Sequence, residues 1–100
     1  MNMSAPDELA ELRAEIDRLD RELIALIARR AEVARRIGDV KAAHGLDVWD
    51  AARFDEMIAR RRAWATDAGL DESFVEDLFE HIADFCARLQ GGQANDLPKG

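Results

Sequence analysis

The sequence predicts an all-α fold in which one long helix is followed by two shorter ones. Apolar residues recur at alternating steps of three and four, which is the spacing of a helix that buries one face. No stretch alternates polar and apolar residues with the period of a β-strand, and the chain contains only 2 prolines. Its 100 residues allow one domain, and 48% hydrophobic with 35% charged residues can form both a core and a soluble surface.

The first helix is predicted to run from about residue 8 to residue 43. Ser4 and Asp7 have the spacing of a capping box, and Pro6 is tolerated in a first helical turn. At 1.5 Å per residue this helix would be about 54 Å long, which is typical of a bundle or coiled coil. Its apolar stripe consists of Leu9, Leu12, Ile16, Leu19, Leu23, Leu26, Val33, Ile37 and Val40.

Two shorter helices complete the predicted domain, which covers residues 1–90. Gly45 is expected to end the first helix, and the second helix then runs from about Asp50 to Ala68, where Gly69 stops it. Asp71 is placed to cap the third helix, which ends near Gly91 and Gly92. The remaining residues, 91–100, are expected to form a flexible tail.

The length of the apolar stripe bears on the oligomeric state. Two short helices of the same chain would leave much of the stripe uncovered, whereas pairing the long helices of two chains would bury it. The sequence therefore favours a homodimer. A monomeric three-helix bundle is the alternative.

Composition excludes several classes of function. A net charge of -7 argues against a general nucleic-acid binder, because such proteins neutralise phosphates with a basic surface. No apolar run reaches the roughly 20 residues of a membrane span, and the N-terminus lacks the pattern of a signal peptide, so a cytoplasmic protein is expected. With 1 Cys and 2 His, an intramolecular disulfide or a catalytic metal site is not expected.

Arg30 interrupts the apolar stripe. The spacing requires an apolar side chain between Leu26 and Val33, and a charge buried there costs several kcal/mol unless it meets a partner. A paired arginine, or one whose head group reaches solvent, would explain this residue by itself. Further polar residues nearby favour the interpretation that Arg30 binds a ligand.

Three cations and one amide join Arg30 as candidate ligand contacts. Lys41 follows it by eleven residues, about 20° away on the same face, and Arg53 opens the second helix. Gln90 lies on the apolar face of the third helix. Arg13 is about 25 Å from Arg30 along the helix and could reach only the pocket of an antiparallel partner chain. Each residue alone could be a solvated surface group, but together they suit a small molecule with two carboxylates.

These residues lie in a distinctive sequence. Residues 15–20 read EIDRLD, and residues 29–33 read RRAEV. Six polar positions share a characteristic spacing: Arg13, Arg30, Lys41, Asp50, Arg53 and Gln90. In these features the chain resembles the all-helical chorismate mutase family over roughly residues 9–90.

The resemblance implies an intertwined helical homodimer with two equivalent active sites. Chorismate would rearrange there to prephenate, a pericyclic shift that needs no nucleophile, metal or cofactor. Arg30, with Arg13 of the other subunit, would hold the two substrate carboxylates, and Arg53 would complete these contacts. Lys41 and Gln90 would donate hydrogen bonds to the ether oxygen as its bond breaks. In this scheme Asp50 would hold the ring hydroxyl.

Two positions depart from the family pattern. Phe54 stands where chorismate mutases usually have a glutamate, and isochorismate pyruvate lyases of the same family also lack that glutamate. Cys86 stands at a serine position near the site. The lyases usually lack an aspartate at the position of Asp50. The sequence therefore favours a mutase, and a lyase is the alternative. A non-enzymatic helical interaction module would explain the apolar stripe, but not Arg30 or Gln90.

Overall fold

The computed structural model describes residues 3–91, which form three α-helices. These are α1 (Ala5–Ala43), α2 (Ala51–Asp67) and α3 (Glu72–Leu89). The all-α prediction is confirmed, since the described residues contain no strand. The chain divides into two units, one that ends at Arg30 and one that begins at Ala31, so the division falls within α1. The predicted tail lies, apart from its first residue, outside the described residues.

Local hydrogen bonds fix the start of α1. The Ser4 hydroxyl donates to Asp7 Oδ2 at 2.7 Å, and the Asp7 backbone N–H donates to Ser4 Oγ at 3.3 Å. The predicted capping interaction is therefore present. It satisfies the Asp7 backbone N–H, which the first turn leaves open. The helix begins at Ala5, directly after this cap, and about three residues before the predicted start at residue 8.

Both predicted glycine stops end their helices. Gly45 has a φ of 64° and Gly69 a φ of 74°, a left-handed conformation that costs glycine little. The residue after each glycine donates its backbone N–H to a carbonyl five positions back, at 2.8 Å in both turns. This bond satisfies a terminal helix carbonyl, as in a Schellman motif.

The core of the second unit is small and forms largely where α2 packs against α3. Its buried apolar residues are Ala31, Ala34, Met57, Ile58, Ala65, Val75, Cys86 and Ala87. Arg62 of α2 also reaches α3, with its Nη1 2.9 Å from Glu76 and its Nε 3.6 Å from Glu72. The residues that α1 contributes to burial in this unit are small, which permits close approach of the neighbouring backbone.

The apolar stripe is exposed along its whole length. Each of its nine residues exposes between 44% and 58% of its surface in the single chain. A second copy of the chain is not present, so the homodimer stays a prediction. The helices of the described residues include none with the length and apolarity that a membrane span requires.

Candidate active site

Lys41 lies at the centre of the candidate site. It occupies the last turn of α1 and is half-buried. Its ammonium group donates to the carbonyl of Val48 at 2.6 Å and to Oε1 of Gln90 at 2.9 Å. The structure therefore brings together two of the predicted site residues that are 49 positions apart in the sequence.

The chemistry of this pair fixes the orientation of the Gln90 amide. An ammonium group has three donors and no acceptor, so only the amide oxygen can face it. Lys41 therefore leaves both N–H donors of the amide NH₂ group unused, and the ammonium keeps one further N–H of its own. The oxygen and nitrogen of an amide are about 2.3 Å apart, which puts Lys41 Nζ and Gln90 Nε2 within about 5.2 Å of each other. One ligand oxygen could accept from both groups.

Gln90 is held at the end of α3. It is the C-cap residue, and its backbone N–H donates to the carbonyls of Cys86 and Ala87, each at 3.1 Å. Cys86, one turn earlier, is only 4% exposed, so it is a buried neighbour of the site on the same helix. The backbone of Gln90 also lies against Gly38 of α1. Sequence reasoning missed this contact, although a glycine inside a long helix was a signal for it.

Asp50 and Arg53 form the first turn of α2. Asp50 is the N-cap residue, and its Oδ1 accepts the backbone N–H of Arg53 at 3.1 Å. Both residues are exposed. The second carboxylate oxygen of Asp50 can therefore accept a hydrogen bond from a ligand, and the guanidinium of Arg53 can meet a ligand carboxylate.

Phe54 belongs to an aromatic pair beside this turn. Its ring centroid lies 4.9 Å from that of Trp49, with 41° between the ring planes. Trp49 Nε1 is buried and finds no acceptor among the described residues. This part of the surface is therefore apolar and offers no acceptor where a glutamate at position 54 would have supplied one. Sequence reasoning gave Trp49 no role.

The other two predicted arginines belong to the unit that ends at Arg30. Arg13 is exposed on α1, and Arg30 is half-buried. Their convergence with Lys41 on one ligand stays a prediction.

The three consecutive arginines of α2 do not form a free anion-binding patch. Arg62 pairs with Glu72 and Glu76 of α3. The guanidinium of Arg61 lies 5.0 Å from the ring centre of Trp64 and 5.3 Å from that of Phe79. Two of the three arginines thus interact within the chain. Over residues 3–91, no group of three or more His, Cys, Asp or Glu side chains is placed to hold a metal ion.

Comparison with known proteins gives consistent relatives. A family model described as chorismate mutase type II matches residues 12–91, which include Arg13 and Gln90. The chain is 43% identical over 80 residues to the T-protein of Haemophilus influenzae, covering 80% of this chain and 21% of the T-protein. It is 35% identical over 88 residues to the 4-amino-4-deoxychorismate mutase of Streptomyces venezuelae, covering 88% and 85% of the two chains.

A third relative has a different named activity. The chain is 32% identical over 83 residues to the isochorismate pyruvate lyase of Pseudomonas aeruginosa, covering 80% and 81% of the two chains. The chain thus spans most of the length of the aminochorismate mutase and of the lyase, but only about a fifth of the T-protein.

The capping role of Asp50 can be separated from any role of its charge. We expect Asp50→Ala to lower the free energy of unfolding by about 0.5–2 kcal/mol, because the Arg53 N–H loses its acceptor. Asp50→Asn should lower it far less, since asparagine caps as well as aspartate. Thermal unfolding followed by circular dichroism at fixed protein concentration measures both. Asp47→Ala, which removes the same charge from the preceding loop, is the control, and an equal loss there would contradict the capping explanation.

Proposed function

Because the chain belongs to the chorismate mutase type II family, we propose that it is a chorismate mutase. The reaction converts chorismate to prephenate within one molecule. The ether C–O bond breaks while a new C–C bond forms between the enolpyruvyl group and the ring. No proton is transferred, and the protein acts by holding the reacting conformation and stabilising the charge that develops.

The observation that carries the proposal is the hydrogen bond between Lys41 and Gln90. Negative charge grows on the ether oxygen as its bond breaks, and both groups have N–H donors left to meet it. These donors need little rearrangement when the substrate binds. The Val48 carbonyl already fixes the ammonium of Lys41, and the ammonium in turn fixes the amide of Gln90. Donors of this kind typically contribute about 10²–10³-fold to kcat each.

The two substrate carboxylates require further cations. We assign them to Arg30 and Arg53 of one chain and to Arg13 of a second copy. The exposed apolar stripe supports this arrangement, since a second long helix would remove it from water. Cys86 would border the same pocket from α3. The functional unit would then be a homodimer of the domain formed by residues 1–90.

Asp50 is assigned to the ring hydroxyl of chorismate. Its free oxygen provides one acceptor, which is what a hydroxyl requires. A carboxylate can also accept from a ring ammonium, and one relative is named for the 4-amino-4-deoxy analogue. The N-terminus of α2 and Arg53 offset part of the negative charge of Asp50, which reduces the advantage that an ammonium would have over a hydroxyl.

Isochorismate pyruvate lyase activity is the second candidate. Phe54 favours it, because the lyases of this family also lack the glutamate, and so does the similarity to the lyase of P. aeruginosa. Asp50 favours the mutase, because the two substrates differ in where the ring carries its hydroxyl and the usual lyase pattern has no aspartate at this position. Asp50 is an acceptor that is present, whereas Phe54 only marks the lack of the glutamate. We therefore propose the mutase.

The activity is tested with three purified substrates. We expect conversion of chorismate to prephenate and little pyruvate from isochorismate, and 4-amino-4-deoxychorismate is the third substrate because a relative is named for it. Products are separated by chromatography. Lys41→Met is the control and should lose about 100-fold or more in kcat. Pyruvate and salicylate from isochorismate, with no prephenate from chorismate, would replace the mutase by the lyase. Inertness toward all three substrates would favour the interaction module.

Position 54 should limit the rate of the mutase. We expect Phe54→Glu to raise kcat/KM for chorismate by about 2–10-fold, the effect of one added hydrogen bond. Phe54→Leu removes the ring without adding an acceptor and should not raise it. A Phe54→Glu protein that melts like the wild type but is slower would show that this side chain does not face the substrate.

Sharing of Arg13 between two chains predicts complementation between inactive variants. Arg13→Leu and Lys41→Met should each be nearly inactive. When the two are unfolded together and refolded at equal amounts, about half of the dimers are mixed, and each mixed dimer keeps one intact site. About a quarter of the wild-type activity should therefore return.

Two control measurements accompany the complementation experiment. Light scattering should give about twice the chain mass of 11.2 kDa for the wild type over a wide dilution range. Each variant refolded alone should stay inactive. A monomeric mass, or no recovery of activity in a confirmed mixed dimer, would exclude the shared site.

A further inference from the structure

Gly38 interrupts a long run of better helix formers in α1. Glycine is less favourable than alanine inside a helix. Its freedom to adopt a positive φ is not used here, since the described glycines with positive φ are Gly45, Gly69 and Gly91. Gly38 is buried within the helix. Its presence therefore has a steric reason rather than a conformational one.

The steric reason is the backbone of Gln90. A Cβ atom on Gly38 would lie 2.7 Å from Gln90 Cα, 3.0 Å from its carbonyl oxygen and 3.1 Å from its Cβ. Backbone atoms cannot rotate aside as the end of a side chain can, so any larger residue would push the end of α3 away from α1. At the other three described glycines, the same added atom meets nothing within 4 Å.

This contact lies beside the hydrogen-bonded pair. Lys41 follows Gly38 by three residues, so both lie on one face of α1. Helical side chains lean toward the N-terminus, and the side chain of Lys41 therefore covers the preceding turn, where Gln90 rests. Its Nζ is 2.9 Å from Gln90 Oε1. A displacement of the Gln90 backbone would lengthen this bond directly.

We propose that Gly38 is a positioning residue of the active site. By allowing the backbone of Gln90 to lie against α1, it sets the point at which the Gln90 NH₂ group meets the substrate. The kinetic consequence rests on the proposed chorismate mutase activity, whereas the structural consequence does not. Gly38 itself touches no reacting atom and acts only through Gln90.

The kinetic test uses Gly38→Ala. We expect kcat for chorismate to fall by about 10–100-fold, because small displacements of catalytic groups are costly, while KM changes much less. Gly69→Ala is the matched control, since its φ of 74° strains alanine at a turn that holds no site residue. It should lower the melting temperature and leave kcat unchanged. In a Gln90→Ala background, Gly38→Ala should cost almost no further activity.

A second test needs no activity. The sequence has four side-chain amides, those of Asn2, Gln90, Gln93 and Asn95. In ¹⁵N-labelled ligand-free protein, the Gln90 NH₂ signals are assigned by their loss in Gln90→Ala. Lys41→Met should shift them by removing the donor, and Gly38→Ala should shift them in the same direction. Gly69→Ala should not shift them.

The outcomes distinguish the two proposals. If the wild-type protein turned over none of the substrates, the proposed function would be wrong, but the amide signals could still test the positioning role of Gly38. Unshifted Gln90 signals in Gly38→Ala, or wild-type kcat in that variant, would overturn the positioning role. An unfolded Gly38→Ala protein would also overturn it, because Gly38 would then be required by the fold rather than by the amide.

Discussion

The ammonium group of Lys41 connects the end of α1 with two other parts of the chain. It belongs to the last turn of α1, holds the carbonyl of Val48 in the following connection, and holds the Gln90 amide at the end of α3. Hydrogen bonds to a charged donor are stronger than those between neutral groups, particularly where water is partly excluded. The arrangement of donors in the site depends on this group, because it fixes which atoms of the Gln90 amide are free.

The helices could be predicted from sequence because their signals are local. The capping pair at Ser4 and Asp7, the glycines at 45 and 69, and the N-cap Asp71 all act within one turn of the boundary they define. These signals fixed the element ends to within a few residues. At the start of α1 the two signals differ, because the cap is at Ser4 whereas the apolar stripe begins only at Leu9.

The site could be predicted only in part, and for a different reason. Lys41 and Gln90 were expected to act together from a resemblance, since no spacing rule relates residues so far apart. The Val48 carbonyl could not be foreseen, because every residue has a carbonyl and the sequence does not mark which one is used. The role of Gly38 depends on a neighbour from another helix. The proposed meeting of Arg13 with Arg30 involves a second chain, so the described chain alone does not test it.

The proposed homodimer would tie the behaviour of this protein to its concentration. If a second chain covers the exposed apolar stripe, the encounter is a second-order event. Dilution would then slow this step, whereas the formation of each helix would be unaffected. At low concentration a newly made chain would spend longer with the stripe in water, and nonspecific association would compete during that time. The rate at which a cell makes this protein would thus bear on how much of it reaches the dimeric state.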